Sequence, residues 1–118
     1  MKINLKTKNF EITPSIREYV QEKLDNLDKF LPKDESIFAD VELGKTTEHH
    51  QKGDIFRVEI NLTVPGRLIR AVAEESDLYA AIDVAKDGLQ REITVNKEKK
   101  ISLYRRGARL FKRLLRRG

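Results

Sequence analysis

The run IFRVEINLTV, residues 55–64, constrains the fold more than any other stretch. Phe56, Val58, Ile60, Leu62 and Val64 alternate with Arg57, Glu59, Asn61 and Thr63. An extended strand therefore puts the apolar side chains on one face and the polar ones on the other. Such a strand belongs to a sheet that is dry on one side and wet on the other. Pro65-Gly66 follows, and the glycine supplies the positive φ of a type II turn. Residues 68–74 then return as the next strand, with weaker alternation.

Two more strands share this pattern. Residues 2–7 place Ile3, Leu5 and Thr7 opposite Lys2, Asn4 and Lys6, and Ile37, Ala39, Val41 and Leu43 alternate with Phe38, Asp40 and Glu42. Two segments have helical spacing instead. Thr13-Pro14 is a cap followed by a proline at the first helical position. Ile16, Val20, Leu24, Leu27 and Leu31 form the stripe behind it, and Pro32 is the expected stop. Ser76 or Asp77 caps a second helix with the stripe Leu78, Ile82, Ala85, Leu89 and Ile93. Asn96 and Lys100 continue that stripe in polar form, so the core is expected to release the helix near Lys97. GKTTEHHQKGD, residues 44–54, reads as a polar connector.

The order β-α-β-β-β-α predicts an α/β two-layer fold of the α+β type: a four-stranded mixed sheet with two helices on one face. The strand-helix-strand opening calls for a right-handed crossover joining two parallel strands. At 118 residues the chain is long enough for one core and too short for two.

Enzymatic signals are poor. There is no cysteine, Gly-rich phosphate loop, activated nucleophile or metal-ligand spacing. His49 and His50 are adjacent, and neighbours on a strand point to opposite faces, so they do not converge on one metal. MKINLKTKNF does not read as a signal peptide, and no apolar run approaches the ~20 residues that span a bilayer. A cytoplasmic protein is the expectation.

Charge is divided unevenly. From Lys97 onward there are ten basic residues and one acid, Glu98, a net +9. The whole chain has 24 basic and 19 acidic residues, so residues 1–96 hold 14 and 18, a net −4. The last stretch, RRGARLFKRLLRRG, would place Leu110, Phe111, Leu114 and Leu115 on one side of a helix. Arg109, Lys112, Arg113, Arg116 and Arg117 would take the other side. Nucleic acid, an anionic membrane and a protein partner all fit such a tail. The outward set of residues 56–64 holds no aromatic to stack a base, which favours phosphate and shape contacts from Lys and Arg on the helices and tail. On helix two, Lys86 and Lys97 share a flank, Arg91 points away from the core and Lys99 emerges on the other flank. Lys23 and Lys29 come near them if the helices pack side by side.

Two stretches resemble a known family. NFEITPSIREYVQEKLDNLDKF (residues 9–30) and DLYAAIDVAKDGLQREI (residues 77–93) resemble the two helices of the ribosome hibernation promoting factors, also called ribosome-associated inhibitors or ribosomal subunit interface proteins. The resemblance covers residues 1 to about 100. It implies a domain similar to double-stranded-RNA-binding domains that occupies the tRNA and mRNA channel of the small ribosomal subunit. Through contacts to ribosomal RNA such a domain blocks translation and preserves idle ribosomes under stress. It implies no enzymatic activity, cofactor or small-molecule substrate.

Lys8, Lys23 and Lys29 match basic positions of the family, whereas Asn26 stands for its middle lysine. In helix two Asp87, Leu89 and Arg91 match the family's pattern, while Gly88 and Val95 stand where it has lysines, Gln90 where it has a glutamate and Glu92 where it has a glutamine. The expected RNA-binding set is therefore Lys8, Lys23, Lys29, Lys86, Arg91, Lys97, Lys99, Lys100, Arg105, Arg106 and Arg109. Residues 1–100 would form the ribosome-binding domain and 101–118 a basic tail, open to self-association. The family has short and long forms, and this chain fits either a short form with a basic extension or a piece of a longer protein. The alternative function is a binding module that uses its amphipathic tail on a membrane surface or protein partner.

Because the stripe of helix two is complete by Ile93, deletion of residues 105–118 is expected to leave a cooperatively folding domain. A thermal melt followed by circular dichroism checks this, and loss of a cooperative transition would refute it.

Overall fold

The structure, a computed structural model, describes residues 1–46 and 53–95. It contains β1 (Lys2–Lys8), α1 (Pro14–Asp25), a 3₁₀ turn (Asp28–Phe30), β2 (Phe38–Thr46), β3 (Ile55–Val64) and β4 (Arg67–Glu75). Residues 78–95 are helical and are called α2. The sheet order is β1-β2-β3-β4. β1 runs parallel to β2, with Ile3 opposite Ala39, and the other two pairs are antiparallel. This is the mixed sheet expected from the sequence.

One-sided burial follows the alternation. Ala39, Val41, Leu43, Val58, Ile60, Leu62, Ile69 and Ala73 are buried on the inner face of the sheet. Ile16, Val20 and Leu24 of α1 and Leu78, Ala81, Ile82, Ala85, Leu89 and Ile93 of α2 join them in one cluster. No polar or charged residue is buried among the described residues. Truncating a fully buried leucine such as Leu24 or Leu62 to alanine would cost about 2–5 kcal/mol.

The ends of α1 show local chemistry at work. Thr13 Oγ1 accepts the Ile16 N–H at 3.2 Å, and Pro14 opens the first turn. The helix finishes at Asp25 rather than running to Pro32. Beyond it the chain tightens, with Leu27 N–H donating to Leu24 O at 3.0 Å and Phe30 N–H to Leu27 O at 2.9 Å. The tightened turn still delivers Leu27 to the core, where it is fully buried. Helical spacing therefore outlasted the helix, because an i→i+3 turn keeps Leu24 and Leu27 on one side. The polar run Asp25-Asn26 favours such turns over a helix interior.

The connector is shorter than its composition suggested. Gly44, Lys45 and Thr46 lie in β2, and Thr46 pairs with Ile55. His49, His50 and the rest of residues 47–52 lie outside the described residues. At the hairpin between β3 and β4 Gly66 has φ +75°, which is the φ > 0 that the Pro-Gly turn requires. Asn9 has φ +68° where β1 leaves the sheet, and its side-chain amide donates to Lys45 O at 3.1 Å. α2 is capped by Asp77, whose carboxylate accepts the Ala80 N–H at 3.1 Å. Of the two cap residues expected, Asp77 makes the bond.

α2 returns over β4. A Cβ added to Gly88 would sit 3.5 Å from Ala71 Cβ, an ordinary contact. Gly88 is thus no forced close approach, and Gly88→Ala should stabilise the protein by up to about 1 kcal/mol by removing a helix-interior glycine. Urea denaturation checks this; a lower midpoint for the variant would count against the described packing.

Candidate nucleic-acid interface

The two helices run in the same direction, side by side, and a polar set links them. Tyr19 of α1 donates its hydroxyl to Asp83 Oδ1 of α2 at 2.6 Å. The Tyr19 and Tyr79 rings meet edge to face, with centroids 4.8 Å apart. Lys23 Nζ lies 3.6 Å from Asp83 Oδ1 and 5.3 Å from the Tyr19 ring centroid. The hydrogen bond to Asp83, aided by desolvation, pushes the Tyr19 hydroxyl up to about 12 from 10.0.

Some of the residues expected to contact RNA are already engaged within the fold. Lys23 is the one basic residue of α1 that reaches α2, and it does so against an acid. Lys86 is mostly covered, donates to Gln90 Oε1 at 2.8 Å and lies 3.7 Å from Asp87. Lys29 is exposed on the 3₁₀ turn, over the Phe30 ring at 5.2 Å. Arg91 is exposed on α2. Lys8 lies apart from all of these, on the sheet face opposite the helices. Lys97, Lys99, Lys100, Arg105, Arg106 and Arg109 lie outside the described residues.

The helix layer is not a basic surface within the described residues. Residues 14–30 carry Arg17, Lys23 and Lys29 against Glu18, Glu22, Asp25 and Asp28. Residues 78–95 carry Lys86 and Arg91 against Asp83, Asp87 and Glu92, so each segment is net −1. Val84 and Val95 are exposed between these charges.

The open sheet face is organised differently. Glu59 on β3 holds Arg70, whose Nε donates at 3.1 Å, and Arg57, whose Nη2 lies at 3.3 Å. Arg57 also reaches Glu74 at 3.7 Å. Hydrogen bonding from Arg70 is the main reason the Glu59 carboxyl is held below its usual range. On β1, Lys2, Lys6 and Lys8 are exposed on this face, with only Asn4 between them. Sequence reasoning passed over Lys2 and Lys6, although their period-two spacing was the available signal. It also missed Phe38, a half-buried aromatic that belongs to the outward set of β2 and stands opposite Thr63. Among the described residues no His, Asp and Glu side chains gather in a group that could hold a metal ion.

The same fold is found in a solved structure. The structure matches the N-terminal domain of Protein Y from Thermus thermophilus with a TM-score of 0.66 and 38% identity, over 79% of this chain and 96% of that one. The chain belongs to the family described as Sigma 54 modulation protein / S30EA ribosomal protein, whose pattern matches residues 3–101. A Ribosome hibernation promoting factor of Klebsiella oxytoca is 34% identical over 99 residues, covering 84% of this chain and 96% of that protein. A Ribosome hibernation promotion factor of Deinococcus radiodurans is 37% identical over 89 residues, covering 75% of this chain. The match spans 45% of that relative's length.

The Tyr19–Asp83 bond makes a direct prediction. Protonated Tyr19 is favoured in the fold, so its contribution is complete below pH 10.0 and is lost as pH rises towards about 12. Asp83→Asn should return the Tyr19 titration towards 10.0 and lower the thermal midpoint. Ultraviolet difference titration, with Tyr19→Phe identifying the component, checks this. An unchanged titration in Asp83→Asn would refute the described contact.

Proposed function

We propose that the chain is a ribosome hibernation factor that binds the small ribosomal subunit in the tRNA and mRNA channel through ribosomal RNA. It inhibits translation and preserves idle ribosomes under stress. The family match over residues 3–101 carries this reading. Residues 1–100 act as the ribosome-binding domain and 101–118 as an accessory arm. The action is occupancy of a site rather than catalysis, and the place of action is the cytoplasm.

The contact set in this reading is Lys8, Lys23, Lys29, Lys86, Arg91, Lys97, Lys99, Lys100, Arg105, Arg106 and Arg109. Lys29 and Arg91 are ready to meet phosphates as they stand. Lys23 and Lys86 must exchange Asp83 and Gln90 for RNA, which lowers the net gain from each contact. The net −1 charge of each helical segment supports the reading that much of the electrostatic grip comes from the +9 segment from Lys97 onward.

A second reading rests on the apolar stripe Leu110, Phe111, Leu114 and Leu115: a tail that docks on an anionic membrane, a protein partner or another copy. Sucrose-gradient sedimentation with small subunits, a cell-free translation assay and anionic liposomes separate the two. The protein should co-sediment with small subunits at low salt, lose affinity steeply as salt rises and inhibit translation. Deletion of residues 105–118 should weaken binding and flatten the salt dependence without abolishing either. Undiminished translation at excess protein, with no sedimentation on subunits, would overturn the hibernation reading. Liposome binding that needs residues 105–118 would then favour the second.

A further inference from the structure

The two edges of the sheet are guarded differently. β1 forms one edge and β4 the other, and among the described residues no strand lies beyond either. β1 carries Lys2, Lys6 and Lys8, a row of one sign, and such lysines keep a further strand away. β4 reads RLIRAVAEE, nine residues without proline or glycine. Its cations, Arg67 and Arg70, come first, and its acids, Glu74 and Glu75, come last. A parallel copy in register would meet like charges along this strand, whereas an antiparallel copy meets opposite ones.

The outer side of β4 is open as well as self-complementary in charge. Val64 and Arg67 pair across the two-residue turn Pro65-Gly66. In the alternating ladder that follows, Arg67, Ile69, Ala71 and Ala73 direct their backbone groups to β3, and Leu68, Arg70, Val72 and Glu74 direct theirs away from the sheet. The side chains of these last four form the outward row, opposite Thr63, Asn61, Glu59 and Arg57. Leu68 is 61% exposed and Val72 42%. Glu59 holds Arg70 and Arg57 approaches Glu74, yet both Arg70 and Glu74 stay exposed.

α2 adds an apolar flank beside the same edge. A Cβ on Gly88 would lie 3.5 Å from Ala71 Cβ, and Arg67 Nη2 lies 3.4 Å from Glu92, so this side of α2 faces β4. Val84 and Val95, four residues before and seven after Gly88, share that side and are exposed. Leu68, Val72, Val84 and Val95 thus gather along one flank of the domain. The remaining large apolar residue exposed among the described residues, Tyr79, faces α1 instead.

We infer that two copies of this chain pair through β4, antiparallel about a two-fold axis at Val72. Val72 of each copy meets its counterpart, and Arg70 of each stands opposite Glu74 of the other. The two sheets join into one continuous sheet. Ala71 is one residue from the axis and Gly88 lies over it, so the two α2 helices come nearest each other at a residue without a side chain. Such an interface is isologous, with the same patch used on both copies. It uses none of residues 105–118 and does not rest on the ribosome-binding reading.

The test measures the mass in solution of the nucleic-acid-free full chain over a range of concentrations, by light scattering or sedimentation equilibrium. The mass should rise from that of one chain to that of two, with residues 105–118 present or deleted. Val72→Lys puts like charges opposite each other on the axis and should weaken association at least about tenfold. Its melt at low concentration should be unchanged, because Val72 is on the open face. The chain has no cysteine, so a single introduced thiol reports one contact. Strand-paired positions have the Cα separation that a disulfide needs. Under mild oxidation with diamide, Val72→Cys should give a covalent dimer, and Asn4→Cys on β1 should not.

A single-chain mass at every concentration would overturn the inference. So would a dimer that Val72→Lys leaves intact, or equal cross-linking of Asn4→Cys and Val72→Cys. A dimer lost on deleting residues 105–118 would place the association in the tail. A dimer seen only after that deletion would mean that the chain's own tail covers β4. Either result would also refute the pairing.

Discussion

Everything in this domain depends on burying one face of a four-stranded sheet beneath two helices. The inner face supplies Ala39, Val41, Leu43, Val58, Ile60, Leu62, Ile69 and Ala73, and the helices answer with Val20, Leu24, Ile82, Ala85 and Leu89. Because no described polar residue is buried, the core makes no use of hydrogen-bond specificity. Register is instead set by the period-two pattern, since a one-residue slip would turn each strand's apolar set towards water. The same constraint sends every second residue of each strand outward. It thereby creates an open face whose charges are free to be arranged for other purposes.

That arrangement differs from strand to strand. In β3 and β4 the outward cations are absorbed by Glu59 and Glu74. β1 carries lysines without such partners among the described residues. On the opposite side the helices are joined through Tyr19, Asp83 and Lys23, so a lysine expected to contact RNA also participates in an internal contact. Exposed ion pairs contribute little stability, typically about 0–1 kcal/mol. Lys23 can therefore be recruited by a phosphate at modest cost to the fold.

The elements were largely legible because their signals are local. Alternation marked the strands, Thr13-Pro14 marked the start of α1, and Pro65-Gly66 marked the hairpin. The end of α1 was not legible, because Leu27 keeps helical spacing inside a turn that is no longer an α-helix. Gly44 read as connector because composition resembles a loop there, whereas pairing with Lys8 and Arg57 keeps it in β2. The candidate site was less legible. Tyr19 and Asp83 are 64 positions apart, and only the packing of two helices brings them together. The sequence also could not reveal that Lys23 and Lys86 are already engaged, while the lysines of β1 make no ion pair among the described residues.

The parallel course of α1 and α2 has an electrical consequence. Both helices begin at the end of the sheet where β1 and β4 finish, so both positive poles of their peptide dipoles gather there. Each is equivalent to roughly half an elementary charge before capping. Thr13 caps one pole without adding charge, whereas Asp77 caps the other with a carboxylate. At the opposite end, where α1 finishes, the Met1 ammonium lies 2.9 Å from Asp25 and 3.2 Å from Asp28. The layer is therefore polarised along its strands, with Asn9, Gly44 and the helix starts at one end and the β3–β4 hairpin at the other. Two faces and two ends thus become four electrically distinct surfaces on one small domain.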